Sequence, residues 1–407
     1  MAIPVFFALI GVELLVLRLQ GRRCYRLADS MADMGCGVID QLTDVFLKTA
    51  LFAGYAFVYE HLRLWSLPGD ALWAWVACFL GVDFCYYWFH RTSHEVNAVW
   101  AAHVVHHQSE EYNLTVALRQ SALQASFAWV FYLPLAWLGF PPLMFLTLSA
   151  FNTLYQFWIH TRTIGKLGAL EGFLNTPSNH RVHHGRNPKY IDRNHGGTLI
   201  IWDRLFGTYV PEDEEPVYGI TAPVQSWNPL WANFHEWVRL LRLARAMPRW
   251  SDRLRLFLKP PGWRPQELGG RLRAPEVDRA SYRKYDTPVP AGLAAYAFLQ
   301  WLLVLGIATL LLFRQAELDR ATLALGAAGV VLSLVSLGAL FDRRRWAWRL
   351  EALRVVALAL GLAGVSVGHG GALLAATLWG LLGVALVLWL TRYRELFVHT
   401  PLAPTPR

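Results

Sequence analysis

Ten of the fourteen histidines in this chain fall between positions 90 and 195. Eight of them form three clusters: His90-x3-His94, His103-x2-His106-His107 and His180-x2-His183-His184. On a helix, positions three and four apart share a face, so three such helices can aim eight imidazoles at one volume. Imidazole is the commonest side-chain ligand for zinc, copper, iron and nickel. A lone histidine is usually a surface or core residue, and one His-x3-His pair is weak. Three clusters of matched spacing on one side of a membrane are not explained that way, and they predict a shared metal site. First-row ions take about four to six ligands, so this many imidazoles fit two ions with positions left open for oxygen or water. A closed structural zinc site would draw on cysteine. The zinc-protease pattern fails because Ala98 stands where a second histidine should follow His94-Glu95, and no Glu-x-x-His pair supports a carboxylate-bridged iron bundle. The expectation is an all-histidine dinuclear site, with iron as the favoured metal.

Two further histidines are candidate ligands. His160 ends the apolar segment LYQFWIHT, and His195 sits in the loop sequence RNHGG. His61, His235, His369 and His399 have no neighbours of this kind. Metal-bound imidazoles donate their second N–H to a carboxylate or carbonyl. Asp83, seven residues before His90 on the same helical face, is an ionisable group in an apolar segment and needs a partner. Glu95, Glu110, Glu111, Asp192 and Asp203 are weaker candidates for the same role. Trp88, Phe89 and Trp100 can line an apolar slot, although core packing is the commoner task of any one aromatic.

The elements that must carry these residues are membrane helices. Of 407 residues, 55% are hydrophobic and 16% charged, and nine segments approach the length of a bilayer span: 3–19, 43–60, 71–89, 122–140, 142–160, 291–313, 323–341, 350–367 and 371–390. The expected fold is all-α, a polytopic integral membrane protein with a cytoplasm-facing histidine-rich di-metal site. Gly139-Phe140-Pro141-Pro142 marks a tight hairpin between two of the segments. Arg18, Arg22, Arg23, Arg26, Arg343, Arg344, Arg345, Arg349, Arg392 and Arg394 would be cytoplasmic by the positive-inside rule, leaving Arg63, Arg314 and Arg320 opposite. That threading puts 90–121 and 161–290, and so every histidine cluster, in the cytoplasm. Glu13 and the trailing basic residues argue against a signal peptide at the start.

The net charge of +9 sits beside apolar segments and points to lipid headgroups; no nucleic-acid motif accompanies it. Four cysteines without paired spacing give no disulfide framework, and Cys78 and Cys85 read as small buried residues. Residues 231–247 form a basic amphipathic pattern, with Phe234, Trp237 and Leu241 on one side and Arg239, Arg242 and Arg245 on another. Such a helix either rests on the membrane surface or packs on the protein. The expected organisation is N-terminal membrane helices at 1–70, a catalytic domain at 71–258, a Pro-, Gly- and Arg-rich linker at 259–290 and C-terminal spans at 291–407.

The three histidine boxes, their order and the trailing IIWDRLFGTYV resemble the fatty acid hydroxylase/sterol desaturase superfamily of membrane non-haem di-iron enzymes. The resemblance is dense over about 80–220. Within that superfamily, YYWFHRTSHE, WAAHVVHHQSEEYNLTVALRQS, LYQFWIHT, NTPSNHRVHHGRN and VYGITAPV are similar to segments of the alkylglycerol monooxygenase family. The resemblance implies that His90, His94, His103, His106, His107, His180, His183 and His184 bind two iron ions. It implies an active site entered by lipid from the bilayer and an external reductant, tetrahydrobiopterin in that family or a cytochrome b5/reductase donor in the sterol desaturases. The implied reaction uses O2 to hydroxylate the ether-bearing carbon, and the hemiacetal collapses to an aldehyde and a glycerol derivative. Glu95 matches a glutamate that follows the first box in the family. His195 stands where that family commonly has tyrosine, and Asn179 where histidine is often found.

Three other readings stay open: a sterol or fatty acyl desaturase or hydroxylase of the same superfamily, a membrane metal carrier using a histidine relay, and a zinc-dependent hydrolase. The Arg-rich, Lys-poor composition favours a bacterial inner membrane over the endoplasmic reticulum. A redox partner is expected, because no haem-binding or ferredoxin-like domain is visible.

Overall fold

The computed structural model describes residues 3–279, 281–367 and 372–398. His369 and His399 lie outside them. Among the described residues there is no strand, only an isolated bridge between Leu174 and Leu199, so the all-α expectation holds. The chain divides into two compact units, one of Met1–Gln225 with Trp231–Tyr285, the other of Ser226–Leu230 with Asp286–Arg407.

The first unit contains α1 (Ile3–Leu19), α2 (Leu27–Leu62), α3 (Leu72–Glu95), α4 (Asn97–His107), α5 (Leu114–Ala117), α6 (Ala125–Leu138), α7 (Pro142–Trp158), α8 (Pro177–His183), α9 (Ile201–Leu205), most of α10 (Pro229–Ala246) and α11 (Trp250–Leu258). A helix lies in each of the nine apolar segments. Five of the helical stretches, however, are long and apolar enough to cross a membrane: Leu27–Leu62, Leu72–Glu95, Ala291–Phe313, Arg320–Phe341 and Leu373–Val398. Three of the other segments are too short. At 1.5 Å per residue, the 14 residues of α6 reach about 21 Å against a hydrocarbon core of about 30 Å. The 17 residues of α1 and of α7 reach only about 25 Å.

α3 packs against α6 and α7, with Ala74, Cys78, Val82 and Cys85 meeting Tyr55, Leu135, Ala136, Phe140 and Met144. Cys78 and Cys85 are therefore the small core residues the sequence led one to expect. Small residues permit this close approach: a Cβ on Gly81 would stand 2.7 Å from Leu135 Cδ2. The hairpin between α6 and α7 turns on Gly139 at φ +97°, where a Cβ would lie 1.8 Å from the Trp65 carbonyl oxygen. Pro142 opens α7 in the first-turn position that needs no N–H.

α2 runs 36 residues, about 54 Å, which is longer than any bilayer core. Its first turns carry Asp29 and Asp33, both buried. Residues 259–285, read from composition as a linker, belong to the first unit. Trp263 and Leu268 pack beside Leu240, Met247 and Leu256. Tyr282 donates to Glu110 Oε1 at 2.9 Å, and Lys284 to Glu111 Oε2 at 2.5 Å. Partners more than 170 residues away in sequence leave no local signal, so composition alone reads as linker.

The second unit holds α12 (Ala291–Phe313), α13 (Arg320–Phe341), α14 (Ala347–Val367), α15 (Ala372–Leu390) and α16 (Arg394–Val398). One buried polar knot joins the first three of these. Glu351 accepts from Tyr296 at 2.5 Å, Ser336 at 2.7 Å and the Arg354 guanidinium at 2.6 Å. Arg354 also donates to Gln300 at 2.6 Å. With every charge paired, the knot is stable out of water.

Candidate metal centre

Four elements converge on the site. The last turn and a half of α3 presents His90 and His94, and α4 presents His103, His106 and His107. His160 follows the C-cap of α7. α8 and its C-cap residue present His180, His183 and His184. Two features set these helices in place. Val96, at φ −126° and ψ 118°, breaks α3 from α4. The Thr176 hydroxyl accepts from the Asn179 N–H to start α8, an ordinary N-cap.

Nine buried imidazoles divide into two groups, His90, His94, His103, His107 and His183 in one and His106, His160, His180 and His184 in the other. The spacing explains the division. The i,i+4 pairs His90/His94, His103/His107 and His180/His184 each stay together, whereas His106 and His183, three residues from a box partner, cross to the opposite group. Each of the second and third boxes thus serves both groups.

The nitrogens are placed as ligands are. His90 and His103 bring their Nε2 atoms to 3.1 Å, and His103 and His107 to 3.2 Å. His106 and His160 do so at 3.2 Å, and His160 and His180 at 3.0 Å. Pairs this close can share one ion, and the ligand atoms of each group all lie within 4.8 Å of one another. His94, His183 and His184 each keep a buried Nε2 with no protein partner, as a ligand atom would.

The opposite ring edges are tied to acceptors. The Nδ1–H of His90 donates to the His195 carbonyl at 2.8 Å, that of His103 to Gln124 Oε1 at 2.7 Å and that of His106 to the Arg119 carbonyl at 3.0 Å. His160 Nδ1 donates to the Gln156 carbonyl at 2.7 Å and His183 Nδ1 to the Arg193 carbonyl at 2.9 Å. A proton held on Nδ1 leaves the Nε2 lone pair for a metal. Burial pushes His103 down to about 3, with His94 beside it acting in the same direction. Burial also holds His106, His107, His180, His183 and His184 well below the usual imidazole range. The rings are neutral, which is the ligating form.

His195 belongs to neither group. Its ring centroid lies 5.1 Å from that of His94 and 5.7 Å from those of His90 and His183, and both its nitrogens are buried without a partner. The carboxylates stand farther out. Asp83 accepts from the Thr198 N–H at 2.7 Å, the Leu199 N–H at 3.1 Å and Trp202 Nε1 at 2.9 Å. Asp203 accepts from the N–H groups of His195 at 2.8 Å and Gly196 at 2.7 Å. Together they fix the loop whose carbonyls hold His90 and His183; neither is shown bonding an imidazole ring. Glu95 is exposed and pairs with Arg91 at 2.9 Å. Glu110 and Glu111 pair with the 282–285 segment and Arg26. Asp192 approaches His94 Nδ1, at 3.6 Å. Among the three aromatics, Trp100 borders the cluster, 5.1 Å from His94, while Phe89 packs on Phe131 and Trp88 on Phe206. His235 bonds the Ala232 carbonyl and His61 packs on Phe57, outside both groups.

Arg119 carries no sequence signal and occupies a central place. It is buried, and its guanidinium donates to the Val105 carbonyl at 2.7 Å, Asp33 at 3.0 Å and Gln108 Oε1 at 2.6 Å. It therefore clamps the end of α4 on both sides of His106 and His107, while its own carbonyl takes the His106 proton.

Among the described residues the chain is helical, has apolar helices long enough to span a membrane and closes two buried imidazole groups that could hold metal at the end of one of them, the arrangement of the membrane histidine-box class. Residues 75–208 match the fatty acid hydroxylase family, and residues 293–369 match the alkylglycerol monooxygenase C-terminal domain. An alkylglycerol monooxygenase of Xenopus tropicalis is 43% identical over 351 residues, covering 86% of this chain and 78% of the relative. That of Homo sapiens is 42% identical, with 87% and 80% covered, and that of Danio rerio 41%, with 88% and 81%. The chain belongs to the alkylglycerol monooxygenase family, a group of oxygen-dependent oxidoreductases. These extensive matches are to animal proteins, which does not support the expected bacterial inner membrane. No solved structure matches the chain.

Proposed function

We propose that the chain is an O2-dependent alkylglycerol monooxygenase whose nine grouped imidazoles hold two iron ions. The observation that carries this is the pair of buried imidazole groups in a chain aligned over most of its length with alkylglycerol monooxygenases. His90, His94, His103, His107 and His183 hold one ion, and His106, His160, His180 and His184 the other. His195 stands by as a tenth imidazole beside the first. Bound iron supplies O2 activation. The protein's own share is to keep nine rings neutral, fix the tautomers of five of them through Nδ1 and exclude water. Asp83 and Glu95 act as positioning residues, Asp83 through the 195–203 loop and Glu95 through Arg91.

One oxygen atom enters the C–H bond next to the ether oxygen, and the other leaves as water. An external donor supplies two electrons and two protons, and the hemiacetal then breaks to aldehyde and glycerol. A reduced pterin is the favoured donor, with a reductase system as the alternative. The lipid arrives laterally from the bilayer. The site faces the cytoplasm of a eukaryotic membrane: the Arg-rich segments 18–26 and 343–349 assign that side, and a hairpin such as α6–α7 returns to the side it left whether or not it crosses. The division into 1–70, 71–258, 259–290 and 291–407 is retained in this proposal, with 71–258 as the catalytic part.

The test is oxygen consumption with mass-spectrometric product analysis on iron-loaded protein given an alkylglycerol and reduced pterin. Aldehyde that requires O2 and disappears in His106→Ala supports the proposal. Hydroxylated or desaturated lipid formed only with a reductase system would sink the ether-cleaving assignment while keeping the iron site.

A further inference from the structure

The α10–α11 pair is the part of the first unit that the catalytic reading leaves unused. Each helix has an inward face. Leu240, Ala244 and Met247 of the α10 region meet Ala101 and Leu256, and Asp252 and Leu256 of α11 are buried. The sequence offered two places for the 231–247 helix, and one face is settled by this packing. The opposite faces are apolar and uncovered. Trp250, Leu254 and Leu258 follow one another at four-residue steps, exposed at 72%, 63% and 73%. Phe234 and Leu241, seven residues apart, form a similar outward line on α10. Neither helix is apolar enough to cross a membrane.

Charge frames this apolar strip. Between 231 and 258 stand six arginines and two acids. Both acids are taken, Glu236 by Arg239 at 2.5 Å and Asp252 by Arg255 at 3.6 Å. Arg249 pairs with Glu267 at 2.7 Å. Arg242, Arg245 and Arg253 have no acid partner among the described residues. At 100° per residue, Arg253 and Arg255 fall on either side of the 250/254/258 line. A crevice of about 230 Å³ opens between the helices, lined by Leu241, Ala244, Arg245, Trp250, Arg253, Leu254 and Phe257. Its walls are apolar and two guanidinium groups stand at it. Arg253 is held in place by its Nε bond to the Met247 carbonyl at 2.9 Å.

We infer that this surface lies in the headgroup layer of an anionic phospholipid bilayer, with an acidic headgroup seated between Arg245 and Arg253. Uncovered tryptophan and leucine flanked by arginine is the composition of an interfacial helix. Surplus positive charge selects anionic lipid. The bilayer is the occupant because the strip combines side chains that prefer hydrocarbon with cations that need anions, and a lipid surface offers both at the right depth. The assignment does not depend on the metal centre or on the substrate.

The full-length protein, reconstituted in nanodiscs of phosphatidylcholine with or without phosphatidylserine, tests it. Single nitroxide labels at Leu254→Cys, Leu258→Cys and Arg255→Cys report depth through their accessibility to oxygen and to an aqueous nickel chelate; the four native cysteines are buried. Labels at 254 and 258 are expected to favour oxygen, and the label at 255 the chelate. Immersion should deepen with phosphatidylserine. The Arg245→Gln/Arg253→Gln variant should reduce the preference for phosphatidylserine roughly tenfold with iron content unchanged. Chelate-favouring labels at 254 and 258 in both bilayers would overturn the inference, as they would if a soluble protein were the partner. Immersion indifferent to lipid charge, or unaffected by the double variant, would overturn the headgroup site.

Discussion

The division of the histidines makes residue-level consequences sharp. His183 and His180 are three residues apart on one short helix, yet they belong to different groups. His180→Ala leaves its group three imidazoles and should reduce bound iron from two ions per chain to about one, by elemental analysis; His183→Ala leaves the other group four and should keep both ions while altering the spectrum of one, because first-row ions need about four ligands or more. Two unaltered sites in His180→Ala would contradict the grouping. Gln124 makes a different point. Its Oε1 accepts from His103 Nδ1, and Gln124→Leu should weaken iron binding roughly 10–100-fold with the helical circular dichroism unchanged. Gln124→Glu, which keeps an acceptor, should recover most of it.

At the scale of the element, the C-terminal end of α4 is clamped by the Arg119 side chain. Arg119→Gln removes the two guanidinium bonds that clamp Val105 and Gln108 and leaves Asp33 buried without its cation. Stranding one member of a buried pair costs about 3–5 kcal/mol. Because the clamped segment feeds both groups, the variant should alter the spectroscopic signatures of both ions, read by Mössbauer spectroscopy on iron-loaded protein. A change confined to one ion would argue against the clamp. The α6–α7 hairpin rests on Gly139. Gly139→Ala places a methyl against the Trp65 carbonyl at positive φ, which costs at least about 1–3 kcal/mol and should appear as a lowered thermal midpoint.

At the scale of the whole molecule, the proposed ions would be linked to the fold. Nine neutral buried imidazoles do not gather in an unfolded chain, so free energy of ion binding is free energy of folding. Chelation should lower the thermal midpoint, and ferrous iron should restore it more fully than magnesium, whose preference is for oxygen ligands. An unchanged midpoint would mean that the imidazoles are held by packing alone. The Glu351 knot ties three helices of the second unit together. Glu351→Gln leaves Arg354 without its anion and should cost about 3–5 kcal/mol, seen as early proteolysis within 286–398.

Local periodicity by itself determined much of this. The helical class, the apolar segments, the α6–α7 hairpin and eight of the nine grouped histidines follow from apolar run length, Gly and Pro placement and the three- and four-residue spacing of the boxes. These are properties of single helices, and a helix carries its geometry in its sequence. Tertiary structure decided the rest. It sent His106 and His183 across to the opposite groups, turned Asp83 toward the Thr198 and Leu199 N–H groups, and left Glu95 on the surface beside Arg91. It gave Arg119, Asp33 and Gln124 their work around α4, and returned 259–285 to the first unit. It also showed that α6 is too short to cross by itself, because the apolar stretch 122–140 spends its ends on turns. Each of these depends on which side chains from distant segments share a space, and no periodicity within one segment records that.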